Sequence, residues 1–202
     1  MLLNVNELEE SVIYKILTST IIPRPIGWIS TVDDKSINNL APFSYFNLVS
    51  NYPPCVMFST VKDGLKSKDT LKNVLINNEF VVNMVTKDVV EKMNITSKAV
   101  PSEIDEFELA NLTPIPSSVV KPMRVQESKI QLECVKVHHY YIKDKNNVET
   151  ACVIIGEVKV IHLDDSLIID NLKIDVNNYQ PISRLSGANY GEIGNIFSIK
   201  RN

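Results

Sequence analysis

The sequence predicts a mainly β protein with a few short helices, built as an antiparallel barrel or sandwich. Three observations carry this. Runs rich in Val, Ile and aromatics recur at residues 26–32, 55–61, 79–86, 126–142 and 151–162. The last two flank a charged, Asn-rich stretch at 143–148, the mark of a hairpin. The runs are not interleaved with the regular long crossover helices that a doubly wound sheet requires.

Taken in order, residues 8–17 (LEESVIYKIL) predict a short opening helix. Residues 26–32 and 55–61 read as buried strands lying side by side, with Ser30-Thr31 and Ser59-Thr60 at matching ends. Residues 67–78 read as a helix capped by Ser67 or Asp69, with Leu71, Val74 and Leu75 on its apolar face. A strand at 79–86 and a helix at 88–97 follow. Residues 99–120 carry Pro101, Pro114 and Pro116 with acids at Glu103, Asp105, Glu106 and Glu108, which predicts a surface excursion with a helical turn. Residues 163–178 admit more than one assignment. Residues 180–202 hold three of the six glycines and read as a loop-rich tail. The total is six or seven strands and two to three helices. We read residues 1–202 as one domain, with a core at about 18–165 and a loop-rich C-terminal segment at 166–202.

Composition excludes several classes. The formal charge is -3 and no basic tract exists, so nucleic acid has no electrostatic footprint to follow. Residues 1–10 are acidic and lack an apolar centre, and no apolar run is long enough to span a bilayer. A soluble cytoplasmic protein is expected. Cys55, Cys134 and Cys152 form no CxxC pair and read as small buried hydrophobes. His138 and His139 sit on an alternating strand, where their rings point to opposite faces, and with His162 they give no ligand spacing. No metal is expected. The chain has no G-x-G-x-x-G, no GxxxxGK[ST] loop, no G-x-S-x-G and no HExxH. No side chain is expected to act as a catalytic nucleophile, acid or base.

The informative stretch is residues 23–60, PRPIGWISTVDDKSINNLAPFSYFNLVSNYPPCVMFST. Hydroxyls, amides and aromatics are concentrated there and acids are scarce. That chemistry suits a flat, electron-poor, phosphate-bearing ligand. Downstream, Ser67-Lys68-Asp69-Thr70 opens a helix, and a helix N-terminus offers free N–H groups and partial positive charge to a phosphate. Lys68 adds a full charge and Thr70 a hydroxyl, while Asp69 would serve as a cap. Arg24, held between Pro23 and Pro25, presents a stiffly mounted guanidinium. Each feature has a plainer reading as well: strand threonines, a capped helix with an exposed lysine, a surface arginine, and packing aromatics, Tyr45 among them.

The strings PRPIGWIST and NLAPFSYFN resemble the signature of flavin reductase-like proteins with an FMN-binding split β-barrel. The later pieces KDTLKN, FVVN, DEFE, LEC and Arg184-Leu185 occur in the family's order. The resemblance spans roughly residues 18–190 and narrows the fold to a split barrel, Greek-key-like and antiparallel. It implies FMN as cofactor, NAD(P)H as a possible donor, and a homodimer with the flavin near the subunit interface. Under it, Arg24, Lys68, Thr70, Ser59 and Thr60 would hold phosphate. Thr31, Ser44 and Asn47 would hold the ribityl chain. The backbone of Ala41, Pro42 and Phe43 would frame the ring, with Phe43 or Trp28 against one face. Arg184 and Tyr190 would border the ligand or the dimer interface, in a segment where Ser186 replaces the family's second Gly. The implied activity is an FMN-dependent oxidoreductase passing electrons to flavin, oxygen, a protein or a small molecule. The alternative is a flavin- or haem-binding module that senses or stores its ligand without turnover.

Overall fold

Seven strands form one antiparallel sheet in a computed structural model that describes residues 1–61 and 68–200. In chain order they are β2 (Gly27–Val32), β3 (Asn38–Phe43), β4 (Phe46–Asn51), β5 (Pro54–Val61), β6 (Glu79–Met84), β9 (Ile130–Lys143) and β10 (Glu149–Leu163). A short β1 (Arg24–Pro25) precedes them, and two-residue β7 (Pro114–Ile115) and β8 (Arg124–Val125) pair between β6 and β9. The helices are α1 (Glu10–Thr20), α2 (Asp69–Asn77), α3 (Val90–Ile95) and α4 (Glu106–Leu109). Residues 163–178, which the sequence leaves open, form 3-10 turns, the small pair β11 (Ile168–Ile169) and β12 (Lys173–Ile174), and α5 (Val176–Tyr179). In the tail, β13 (Ser183–Arg184) and β14 (Tyr190–Gly191) join β1 in a three-stranded sheet.

The sheet order is β3-β2-β6-β9-β10-β5-β4. Its two edges, β3 and β4, are joined by only Ser44 and Tyr45, so the sheet must curl until its edges meet. The seam is visible in side chains: the rings of Phe43 on β3 and Phe58 on β5 lie 5.1 Å apart. This barrel is the mainly β architecture that the sequence predicts. One placement is corrected. β2 and β5 do not lie side by side, because β6, β9 and β10 stand between them along the sheet. The hydroxyls of Ser30-Thr31 and Ser59-Thr60 therefore form no common rim.

Burial explains the apolar runs. Along β2, Ile29 enters a core with Phe43, Phe46, Phe58, Phe80 and Ile154, onto which α2 sets Leu71 and Val74. Its neighbour Trp28 faces the other way, into a second core with Leu40, Met93, Phe107 and Val125 under α3 and α4. Both faces of β2 are covered, so its sequence shows no polar alternation. At Gly156 a Cβ would lie 2.3 Å from Phe80 Cζ, so the absence of a side chain makes room for that ring. Cys55, Cys134 and Cys152 are all buried within these strands. Burial pushes the Cys134 thiol far above its ordinary value.

The β9–β10 turn is held by Asp144, whose carboxylate accepts the Asn146 and Val148 N–H groups, with Asn147 in the left-handed region. His138 stacks toward Tyr140 and His139 toward Tyr141, two residues on in each case, which fixes the two histidines on opposite faces of β9. His162 meets the buried carboxylate of Glu133 at 2.6 Å.

Candidate functional site

A cleft of about 520 Å³ opens where α1, the β3–β4 bend, the end of β5, the start of α2, the end of α3 and the closing turn 184–190 converge. Its size suits a small ligand or cofactor. Among the described residues three cations line it, Arg24, Lys68 and Arg184, and no Asp or Glu does. Aromatic walls come from Tyr14, Phe43, Tyr45 and Tyr190.

Lys68 is the N-cap residue of α2, and its Nζ lies 5.4 Å from the centroid of the Phe43 ring. Among the described residues no side chain caps this helix end, whose first N–H groups point toward the cleft's edge at Lys68 and are available to an anion there. Of the two expected caps, Ser67 lies outside the described residues. Asp69 is not the cap but the first helical residue, and its carboxylate accepts the Ser102 hydroxyl at 2.8 Å.

Arg24 is 8% exposed. Its Nη1 donates to Thr18 O at 2.6 Å and Ile21 O at 2.8 Å, and its Nη2 to Leu185 O at 2.9 Å. The first two carbonyls belong to the C-terminal end of α1, where the helix dipole is negative. The guanidinium thus ties α1 to the closing turn, and its buried Nε has no protein partner. Arg24 and Arg184 are direct cross-strand neighbours on β1 and β13, an arrangement that repels unless negative charge sits nearby. The Arg184 guanidinium lies 4.6 Å from the Tyr190 ring centroid and donates to Gly187 O, and the Tyr190 hydroxyl donates to Asn94 Oδ1 at 3.1 Å. Among the described residues the one left-handed glycine is Gly187, within this turn; Ser186, where the family has Gly, needs no positive φ.

Of the residues the sequence nominates, Arg24, Pro42, Phe43, Ser44, Ser59, Lys68 and Arg184 line the cleft. Five others do not. Thr31 is fully buried and accepts from Asn73 Nδ2 at 3.1 Å, and Thr70 accepts from Asn39 Nδ2 at 2.9 Å. Both hydroxyls seat α2 on β2 and β3. Thr60 is buried behind Ser59, because adjacent strand residues face opposite ways, and its hydroxyl points at Cys152 O. Ala41 packs against the barrel core. Asn47 is exposed on β4, its side chain accepting the Leu48 N–H. Trp28 is sealed in the second core, donating to Thr96 Oγ1 at 2.9 Å, so it cannot face a ligand in the cleft.

Tyr45 is a correction in the other direction. It is not a packing residue: it is 37% exposed and lines the cleft. Partial burial and nearby Tyr14 hold its hydroxyl above the ordinary value, opposed by Arg24. Its carbonyl accepts the Ser59 N–H at 2.8 Å, which sets Ser59 at the cleft wall. The sequence reading also misses Tyr14 and Thr18 of α1 and Asn94 and Ser97 beside α3. The spacing of Tyr14 and Thr18 puts them on one helix face, which is the only signal that they act together.

These features define a β-barrel protein with an aromatic, cationic cleft beside a helix N-terminus, free of acids among the described residues. Residues 18–181 match the model of the flavin reductase like domain, and the chain belongs to that family, a class of flavin-linked oxidoreductases. It is similar to nitrilotriacetate monooxygenase component B from Bacillus cereus, at TM-score 0.95 and 35% identity over 98% of both chains. It is also similar to Pseudomonas fluorescens 2-nitrobenzoate 2-nitroreductase, at TM-score 0.88 and 25% identity over 100% of this chain and 96% of that one. An uncharacterised Aquifex aeolicus protein is 42% identical over 187 residues, 92% of each chain. Together these establish the split-barrel fold. No helix among the described residues is long and apolar enough to cross a membrane.

Proposed function

We propose that the cleft binds FMN and that the protein is an FMN-dependent oxidoreductase, taking reducing equivalents from NAD(P)H and delivering them to an acceptor. The observation that carries this is the cleft itself: among the described residues, three cations and no acid, aromatic walls, and a helix N-terminus at Lys68 that no described side chain caps. The residues fit the group. Lys68 and the first N–H groups of α2 would take the phosphate. Phe43 and the Pro42–Tyr45 bend would lie along the ring, with Ser44 and Ser59 offering hydroxyls to the ribityl chain. The orphaned Arg24 Nε and its neighbour Arg184 supply positive potential for a ligand that gains negative charge on reduction. When bound, the flavin supplies the hydride and electron chemistry. The chain binds it, orients it and limits water, with α1 forming one wall.

The acceptor is a free flavin, oxygen, a protein or a small molecule. Similarity to a monooxygenase component supports supply to a separate protein, and similarity to a nitroreductase supports a small nitroaromatic. We further take the chain to be a cytoplasmic homodimer. Exposed Leu48, Tyr52, Tyr140 and Ile142 suit a subunit contact.

The test is the visible absorption spectrum of the purified protein, recorded before and after anaerobic NADH. Flavin bands that bleach are expected. Bands that persist would leave a flavin-holding module or another donor. A colourless protein that takes up no added FMN would overturn the reading.

A further inference from the structure

Two features near the closing strand match one another. The first is an apolar groove of about 700 Å³ lined by Ile22, Pro23, Met84, Pro181, Ile182 and Ile193. It backs onto the cofactor cleft, with which it shares Ile26 and Leu185. The second is the segment after β14. Residues 192–200 have no regular secondary structure, yet Ile193, Ile196, Phe197 and Ile199 are 51%, 61%, 80% and 81% exposed. An unfilled apolar groove and an unburied apolar segment in one chain are each costly in water.

We propose that residues 195–200 form an arm that seats in the groove of a second copy of this chain, and that the exchange is reciprocal. The arm does not fill its own groove for a geometric reason. Glu192, Ile193 and Gly194 already form part of that groove's wall, so residues 195–200 would have to reverse direction at once. No described residue after Gly187 has a positive φ, and residues 192–200 run on without a turn. At the start of the segment the Glu192 carboxylate pairs with Lys87 at 2.9 Å on the surface. Two identical arms in two identical grooves make an isologous, closed contact. Three large side chains per arm, at roughly 100–200 Å² each, give two arms on the order of 900 Å². The groove walls they cover contribute a similar area, which brings the total near the roughly 1,600 Å² of a stable interface. Because Leu185 shares the groove with the cleft, a seated arm also braces the turn that carries Arg184.

The proposal rests on the homodimer reading and is independent of the flavin. It is tested in the full chain with a benzoylphenylalanine photocross-linker in place of Phe197, using a mixture of two tag lengths. Light scattering fixes the oligomeric state, and Phe197→Ser/Ile199→Ser serves as the second variant. A dimer whose photoproduct joins the two tag lengths, with cross-links mapping to residues 181–194 or 22–26, is expected. The double variant should keep the wild-type circular dichroism and weaken the dimer by at least about tenfold, given the apolar area lost. A dimer that persists with cross-links confined to one chain, or placed elsewhere, overturns the arm exchange and leaves the homodimer standing. A monomeric wild type overturns both.

Discussion

Replacing Glu106 by Gln should stabilise the protein in alkaline solution and leave it unchanged in mild acid. Glu106 opens α4 and is only 7% exposed. Its carboxyl accepts the Leu40 N–H at 2.9 Å, so it pins α4 to β3. Burial raises its pKa from 4.5 to about 7, against the lowering effect of that N–H bond, and Asp105 and Asp69 add to the rise. The sign follows from proton counts. Between 4.5 and about 7 the folded chain holds a proton that the unfolded chain has released, so stability falls as pH rises through this window and levels off above it. The full interval corresponds to a ceiling of about 3 kcal/mol, and solvent close to α4 trims the working value to about 2 kcal/mol. Glutamine keeps the carbonyl that Leu40 needs and cannot ionise. Urea unfolding of both proteins at about pH 4 and about pH 8.5 makes the comparison. The variant should gain about 2 kcal/mol at the higher pH and differ by less than about 0.5 kcal/mol at the lower. An offset that stays constant between the two conditions would refute the argument, since it would show that Glu106 does not change ionisation on folding.

Three further outcomes are expected. Lys68→Ala should weaken FMN binding by about 1–3 kcal/mol, the range for losing a charged hydrogen bond, as read by flavin fluorescence titration; unchanged affinity would remove Lys68 from the site. Glu133→Gln should destabilise by about 2–4 kcal/mol at neutral pH, because the fully buried carboxylate accepts Ser118, Val119 and Val120 N–H groups as well as His162. Burial works to raise that carboxyl's pKa, but the bonds from Ser118, His162 and Val119 hold it below the usual value. Its contribution is therefore complete above the unfolded pKa and lost as pH falls through the folded one, the opposite sign to Glu106, and denaturant midpoints in acid should converge for wild type and variant. Gly156→Ala should cost about 1–3 kcal/mol by overpacking, since its Cβ would meet Phe80 Cζ at 2.3 Å; an unshifted thermal midpoint would show that Phe80 has room to move.

Strands were legible where burial on both faces left uninterrupted apolar runs, as along β2 and β5. β3 and β4 were not, because Asn38-Asn39 and Asn47 at their polar positions look like loop residues. Only the sheet supplies their reason. Asn39 bonds the hydroxyl of Thr70, and Asn38 bonds Asp105 of the α4 cap. Residue types that favour turns in isolation are used here to join a strand to two helices. The neighbours of β2 were equally out of reach, since pairing across the chain from residue 27 to residue 84 leaves no local trace.

The site was half legible for a related reason. Composition shows which hydroxyls and cations lie near the cleft, and strand alternation then divides them. Ser59 and Thr60 are equivalent as letters, but only one can face the ligand. Arg24 shows the deeper limit. A fixed guanidinium reads as an anion site, yet its three protein bonds go to backbone carbonyls, which every residue possesses and no sequence pattern marks. Those bonds draw α1 over the cleft and so bring in Tyr14 and Thr18, the residues sequence reading missed. The arginine that lines the cleft also positions one whole wall of it. Replacing it with alanine should loosen that wall, and with it flavin retention, even where Lys68 and the α2 N-terminus are untouched.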